Sequence, residues 1–197
     1  TNDDEAVGKY TDVLTIDNTV EDLEKEYTNY LFEIIPADFE ILTNEAKIVI
    51  KSASDSWDYD GETHTKEEYT VTYDGTEVPM NEDGTFTLPT GDTLTVESTT
   101  EGIKNVAENK EENNTFTYTL ENSENYGEGN ITVEYGTLTM NPIPVVIEAA
   151  DSSKVYGDKD PEFADATMSG QVEGELTDID LSVLRINDDE AVGKYTD

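Results

Sequence analysis

Two acidic triplets have a spacing that can do chemistry. Asp58, Asp60 and Glu62 fall at i, i+2 and i+4, and Asp158, Asp160 and Glu162 repeat that spacing. Carboxylate oxygens so placed can wrap one calcium ion from a single loop. Both triplets follow an apolar run, where an ion would stiffen the start of a domain. Neither has the twelve-residue frame of an EF-hand. The competing reading is a solvated acidic turn, because 47 Asp and Glu are spread over 197 residues. Asp3-Asp4-Glu5 and Asp188-Asp189-Glu190 form a further acidic cluster, in two copies.

Crosslinking is a second chemistry. Lys47 or Lys51, with Asn130 and a nearby acid, can form an isopeptide bond if an apolar core encloses them. On an acidic chain the lysines are expected to face solvent instead. Trp57, Tyr59 and Tyr69 can form a glycan-stacking patch, or pack into a core or a domain interface. Catalysis has little to work with. His64 is the one histidine and reads as a solvated loop residue, and there is no cysteine. No metalloprotease, serine-hydrolase, phosphate-loop or dinucleotide pattern is present. Carboxylate pairs carry no message at this acid density. The chain is expected not to be an enzyme.

The charge excludes some partners. Against 47 acids stand 11 lysines and arginines, a formal charge of −36. Such a chain has no basic face for nucleic acid, and anionic membranes repel it. No apolar run approaches the roughly 18 residues a membrane-spanning helix needs, so no membrane insertion is expected. Without cysteine, stability must come from a core, a metal or another crosslink.

Stepping along the chain, the apolar residues alternate with threonine at period two, as in strands with one buried face. Tyr69–Tyr73, Thr85–Leu88, Thr93–Val96 and Thr115–Leu120 read this way. Lys47–Lys51, Asn130–Tyr135, Thr137–Met140, Val145–Glu148, Leu31–Ile35 and Phe39–Leu42 are further expected strands. Tyr73-Asp74-Gly75-Thr76 and Glu82-Asp83-Gly84-Thr85 are turn signals. Val20–Tyr30 fits either a short helix or a charged hairpin. A second short helix over Leu176–Leu184 is an open alternative.

The largest regularity is a repeat. Asn2–Asp12 reads NDDEAVGKYTD, and Asn187–Asp197 reads the same eleven residues, 185 positions later. Identity of this length marks one period of a longer tandem array. Within the period, Pro36, Pro142 and Pro144 punctuate apolar strands and suggest two domains. Residues 43–141 are expected to form one complete domain. Residues 142–197 are expected to be the front half of another, and residues 1–42 its back half. Each half would then be completed by a neighbouring copy, through the continuous chain of an array or by strand exchange between molecules.

Residues Ser153-Lys154-Val155-Tyr156-Gly157-Asp158, continuing through Pro161 and Phe163, resemble the start of the MBG domain of the YGX type. Gly170, Glu173-Gly174-Glu175, Leu184-Arg185 and Ala191–Tyr195 continue the resemblance, and Ile35–Phe39 matches its end. Residues 43–141 look like related repeats that carry a Tyr-Asp-Gly motif near their start, here Tyr59-Asp60-Gly61; Glu62 stands where those repeats have threonine. The resemblance implies exported, array-forming domains of bacterial surface proteins and adhesins, with Tyr156 and Gly157 in a structural turn. Tyr10 and Tyr195, each following Val-Gly-Lys, also fit a tyrosine corner, in which the hydroxyl ties back to nearby backbone.

The expected fold is all-β, with two small Ig-like β-sandwich domains per period strung into a rod. A β-grasp-like domain with one short helix is the alternative. The expected function is a spacer or polymer subunit of an extracellular cell-surface stalk or filament, with other copies of itself as partners and calcium as the only candidate cofactor. A ligand-binding adhesin module that grips host glycan or protein is the rival.

Overall fold

The computed structural model describes residues 6–187 and 191–195. The acidic clusters at Asp3–Glu5 and Asp188–Glu190 lie outside those residues. The chain is an all-β protein with one α-helix among the described residues. Its elements run β1 (Gly8–Leu14), α1 (Val20–Glu26), β2 (Ala37–Ile41), β3 (Ile48–Ser52), β4 (Asp55–Asp58), β5 (Tyr69–Tyr73), β6 (Thr76–Val78), β7 (Phe86–Thr87), β8 (Thr93–Ser98), β9 (Phe116–Leu120), β10 (Ile131–Glu134), β11 (Leu138–Asn141), β12 (Val146–Glu148) and β13 (Thr167–Ser169). No helix among the described residues is long and apolar enough to cross a membrane.

The strands fall into two compact units. The first comprises Thr1–Ser54, Lys66–Glu101 and Glu111–Thr137. In it, β10-β3-β5-β6 form one sheet and β7-β8-β9 another. β10 runs parallel to β3, and the remaining neighbours are antiparallel. Period two puts Ile48, Ile50 and Ser52 inside and leaves Lys51 outside. Val71 lies inside between the hydroxyls of Thr70 and Thr72. The two sheets share one core, in which Ile48, Ile50, Val71, Phe86, Leu94 and Phe116 meet. Each such side chain contributes about 1.5–3 kcal/mol by leaving water. The β5–β6 connection is the expected two-residue turn. Asp74 (φ +47°) and Gly75 (φ +77°) are both left-handed, the geometry that matches the twist of a hairpin.

A polar knot ties the ends of β3 and β10 together. The Ser52 hydroxyl donates to the Asn114 carbonyl (2.6 Å) and accepts from the Gly136 N–H (2.9 Å). The Asn114 amide donates to the carbonyls of Ala53 and Lys66, both at 2.8 Å. A methyl at Gly136 would fall on the Ala53 carbonyl, so the close backbone approach requires glycine.

The second unit comprises Asp55–Thr65, Gly102–Lys110 and Leu138–Asp197. Here β4 and β11 pair in parallel. Ile103, Leu138 and Met140 are buried, with Trp57 and Tyr59 packed on them. The Asn109 side chain brackets Met140, donating to its carbonyl and accepting from its N–H. β12 and β13 pair antiparallel as a two-stranded sheet.

β1 and β2 also form a two-stranded sheet, with Tyr10 opposite Phe39 and a register shift before Leu14. Between them, Val20–Glu26 is helical rather than a hairpin. Thr19 caps it by accepting from the Asp22 N–H, and Glu21 and Asp22 favour the positive end of the helix dipole. Two sequence expectations are corrected. Leu31–Ile35 forms no strand: no neighbouring strand takes up its backbone, and Leu31 remains 93% exposed. Leu176–Leu184 forms no helix. Leu176 adopts φ +57°, and the Asp180 carboxylate accepts from the Ser182 N–H to make a turn instead.

Candidate functional site

The central carboxylate of each acidic triplet is already held by protein donors. In the first, Asp60 accepts from the Glu62 N–H (2.9 Å) and lies 3.0 Å from His64 Nε2. The Glu62 N–H, and then His64, hold the Asp60 carboxyl below its ordinary pKa. Asp58 lies at the end of β4 beside the Asn141 amide. In the second, Asp160 lies 2.6 Å from Lys154 Nζ and 2.9 Å from Arg185 Nη1; Asp158 and Glu162 are exposed. Among the described residues no three His, Asp or Glu side chains are placed to hold a metal. The geometry gives the calcium expectation no ligand cage.

His64 is not a solvated loop residue. Its ring stacks on Trp57 at 5.0 Å with 15° between planes, and its backbone pairs with Ile103 in both directions. The sequence hides this because the two residues that hold His64 come from different segments, Trp57 from β4 and Ile103 from the loop after β8. Trp57 is the only tryptophan. Removing the ring by His64→Ala is expected to expose the indole and move its emission to longer wavelength, with the fold retained by circular dichroism. An unmoved spectrum would mean that the stack does not shield Trp57.

The crosslink residues also lack their setting. The β3–β10 register brings Asn130 alongside Lys47. Yet Lys47 and Lys51 are exposed, Lys51 lies 3.3 Å from Glu134, and the Asn130 amide donates to Glu45. An isopeptide bond forms where an apolar core raises the lysine's reactivity, and here water reaches both amines. The aromatic trio is divided as well. Tyr69 meets Phe116 edge-on in the first core, whereas Trp57 and Tyr59 pack in the second unit. The Tyr59 hydroxyl donates to Glu175 (2.6 Å), at a cavity of about 260 Å³ lined also by Val106, Ile143, Gln171 and Val172.

The structural residues are clearer. Tyr10 donates to the Ala6 carbonyl and Tyr195 to the Ala191 carbonyl, each at 2.5 Å and each four residues upstream. Both copies of the repeated motif therefore make the same tie. Gly157 (φ +89°) occupies a tight turn closed from Asp158 N–H to the Val155 carbonyl, and Tyr156 faces water.

One polar network was not legible in the sequence. The Tyr126 hydroxyl donates to Asp92 (2.5 Å), Asn122 donates to the other carboxylate oxygen (2.7 Å), and Thr90 lies within 2.6 Å of Tyr126. Burial disfavours the Asp92 charge, but the hydrogen bonds from Tyr126, Asn122 and Thr90 outweigh it and hold the pKa below its ordinary value. Burial, then the bond to Asp92, pushes the Tyr126 hydroxyl up to about 12. Because that pKa is raised above the ordinary 10.0, the folded state keeps its proton longer than the unfolded chain. The contribution is complete below pH 10.0 and lost as pH rises towards about 12. Melting temperatures are expected to fall more steeply across that window for the native chain than for Tyr126→Phe. Parallel curves would remove Tyr126 as the cause.

The feature with the widest reach is where burial stops. Among the described residues every buried side chain lies between Ala46 and Met140. The flanking segments expose large apolar residues, including Leu31, Ile35, Leu184, Ile186 and Val192. These apolar side chains meet water on a chain whose formal charge is −36. No family model matches the chain, and neither does any curated protein or solved structure.

Proposed function

We propose that this chain is the structural repeat unit of an extracellular surface stalk or filament, acting as a spacer and polymer subunit rather than an enzyme. The observation that supports the reading is the eleven-residue repeat flanking a well-packed centre, with no buried residue among the described residues of the two outer segments. An isolated domain gains nothing from leaving two such segments apolar and open. A unit of an array does, because the next unit covers them. In this reading the period holds two Ig-like sandwiches strung along a rod, one of them shared between successive copies. Like charge along the rod favours extension and discourages lateral clumping.

The rival, an adhesin module for host glycan or protein, calls for an exposed aromatic cluster in every period. Trp57, Tyr69, Phe86, Phe116 and Tyr126 pack in the cores, which favours the spacer, whereas Tyr27 (48% exposed) and Tyr30 (67% exposed) each meet the Phe32 ring in a cluster that the adhesin reading would use. Electron microscopy of chains carrying two, three and four periods tests the proposal. Each added period is expected to lengthen the particle by about 60–80 Å at the rise per residue of extended strands. Particles that thicken without lengthening would overturn it.

A further inference from the structure

We propose that the cavity beside Tyr59 binds a small primary amine with an apolar body, its ammonium held between the Glu175 carboxylate and the Gln171 side-chain carbonyl. The inference stands on the cavity and is independent of the tandem-repeat reading.

Every residue of the cavity belongs to the second unit. Three segments build it. Tyr59 follows β4, Val106 comes from the loop after β8, and the others run from Pro142 to Leu176, around β12 and β13. Close backbone contacts fix their spacing. A methyl on Gly170 would fall on the Pro144 carbonyl, so the end of β13 lies hard against the segment that enters β12. A methyl on Gly61 would stand 3.3 Å from the Val172 side chain and 3.6 Å from Glu175 Oε1. The Tyr59-Asp60-Gly61 turn therefore lies against a second turn, closed from the Glu175 N–H to the Val172 carbonyl.

The walls and the polar groups suit the two halves of one ligand. Val106, Ile143, Val145 and Val172 are aliphatic and fit an apolar body. Two acceptors interrupt them. Glu175 accepts from the Tyr59 hydroxyl at 2.6 Å through one oxygen, and a carboxylate has about four lone-pair sites. No lysine or arginine lines the cavity to neutralise it. The Gln171 side-chain carbonyl is buried and has no hydrogen-bond partner among the described residues. Such an acceptor costs free energy until a donor meets it. The terminal torsion of a glutamine is broad, so a turn of the amide can present that oxygen to a donor in the cavity.

An ammonium has three donors and no acceptor, which matches a site that offers acceptors and a negative charge. Sugar hydroxyls each bring acceptor lone pairs as well as a donor, and aliphatic walls would leave those unmet. A carboxylate or phosphate is repelled by Glu175. Size narrows the class further. At about 260 Å³ the cavity is smaller than the roughly 300–1,000 Å³ of pockets for drug-sized ligands, which limits the body to one ring or a short alkyl chain. The formal charge of −36 raises the concentration of cations near the surface.

Isothermal titration calorimetry of the full chain with phenethylamine and with hexylamine tests the proposal, at physiological salt so that loose attraction to the acidic surface is screened. One site per chain is expected, saturating below about 10 mM for ligands this small. 2-Phenylethanol has the same body as phenethylamine without its charge. It is expected to bind about tenfold more weakly, the equivalent of one charge-assisted hydrogen bond. Glu175→Gln is expected to lose a similar factor while still accepting from Tyr59. Gln171→Leu removes the unmet carbonyl. It is expected to melt no lower than the native chain and yet to bind the amines more weakly, a combination that a purely structural glutamine would not give. Glu173→Gln removes an exposed charge outside the cavity and should leave binding unchanged. Circular-dichroism melts are the folding control for all three variants. Four results would overturn the proposal: neither amine saturates, the alcohol binds as tightly as the amine, Glu175→Gln binds no more weakly than Glu173→Gln, or Gln171→Leu binds as tightly as the native chain. None of them bears on the spacer reading.

Discussion

Phe86→Ala is expected to lower the unfolding free energy by about 3–5 kcal/mol, the usual cost of deleting a buried aromatic ring and leaving its cavity. Phe86 is 1% exposed, and β7, which carries it, is only two residues long. It pairs with Leu94 on β8 and contributes to the core common to both sheets of the first unit. No described side chain outside 46–140 is buried, so nothing beyond this centre can make up the loss. A single domain has about 5–15 kcal/mol to lose. Urea unfolding followed by far-ultraviolet circular dichroism should show a lower midpoint at an unchanged slope. A loss below about 0.5 kcal/mol, the scale of an ordinary surface change, would mean that the two sheets do not share a core through Phe86.

The second large effect is expected at Asn114, which is 1% exposed. Asn114→Ala removes the donor from the Ala53 and Lys66 carbonyls at once. A buried acceptor stripped of its donor costs about 1–3 kcal/mol, so the pair is expected to cost about 3 kcal/mol. Asn114→Asp distinguishes hydrogen bonding from packing. It preserves the volume but aims a carboxylate at two carbonyls, so the folded state favours its protonated form. Its folded pKa is raised, and the variant should recover stability as pH falls and lose it as pH rises. If Asn114→Asp matches the native chain at every pH, the two carbonyls do not depend on Asn114.

Much of the centre could be read from the chain. YTVTY becomes β5, TLTV begins β8, and FTYTL is β9, because a strand with one wet face writes its period directly into the sequence. Asp74-Gly75 was equally legible, since few residue pairs tolerate two successive left-handed conformations. The parallel pairing of β10 with β3 was not. It joins Ile131 to Ile48 across most of the central segment, and no local period records a partner that distant. No local pattern in the sequence marks Asn114; only the carbonyls of Ala53, just after β3, and of Lys66, before β5, give it a role. Leu31–Ile35 misled for the complementary reason: its apolar pattern matches a strand, and strand formation requires an edge to pair with.

By itself, the sequence determined the strand periodicity, the hairpin turn, the self-repelling charge and the 185-residue repeat, because composition and period are local properties of the chain. Tertiary structure decided which of those residues are available. It placed His64 and Glu62 on Asp60, and Lys154 and Arg185 on Asp160, leaving those carboxylates satisfied. It put both candidate crosslinking lysines in water and, among the described residues, confined burial to the stretch from Ala46 to Met140. Those outcomes depend on which distant segments meet and which groups lose their water when they do.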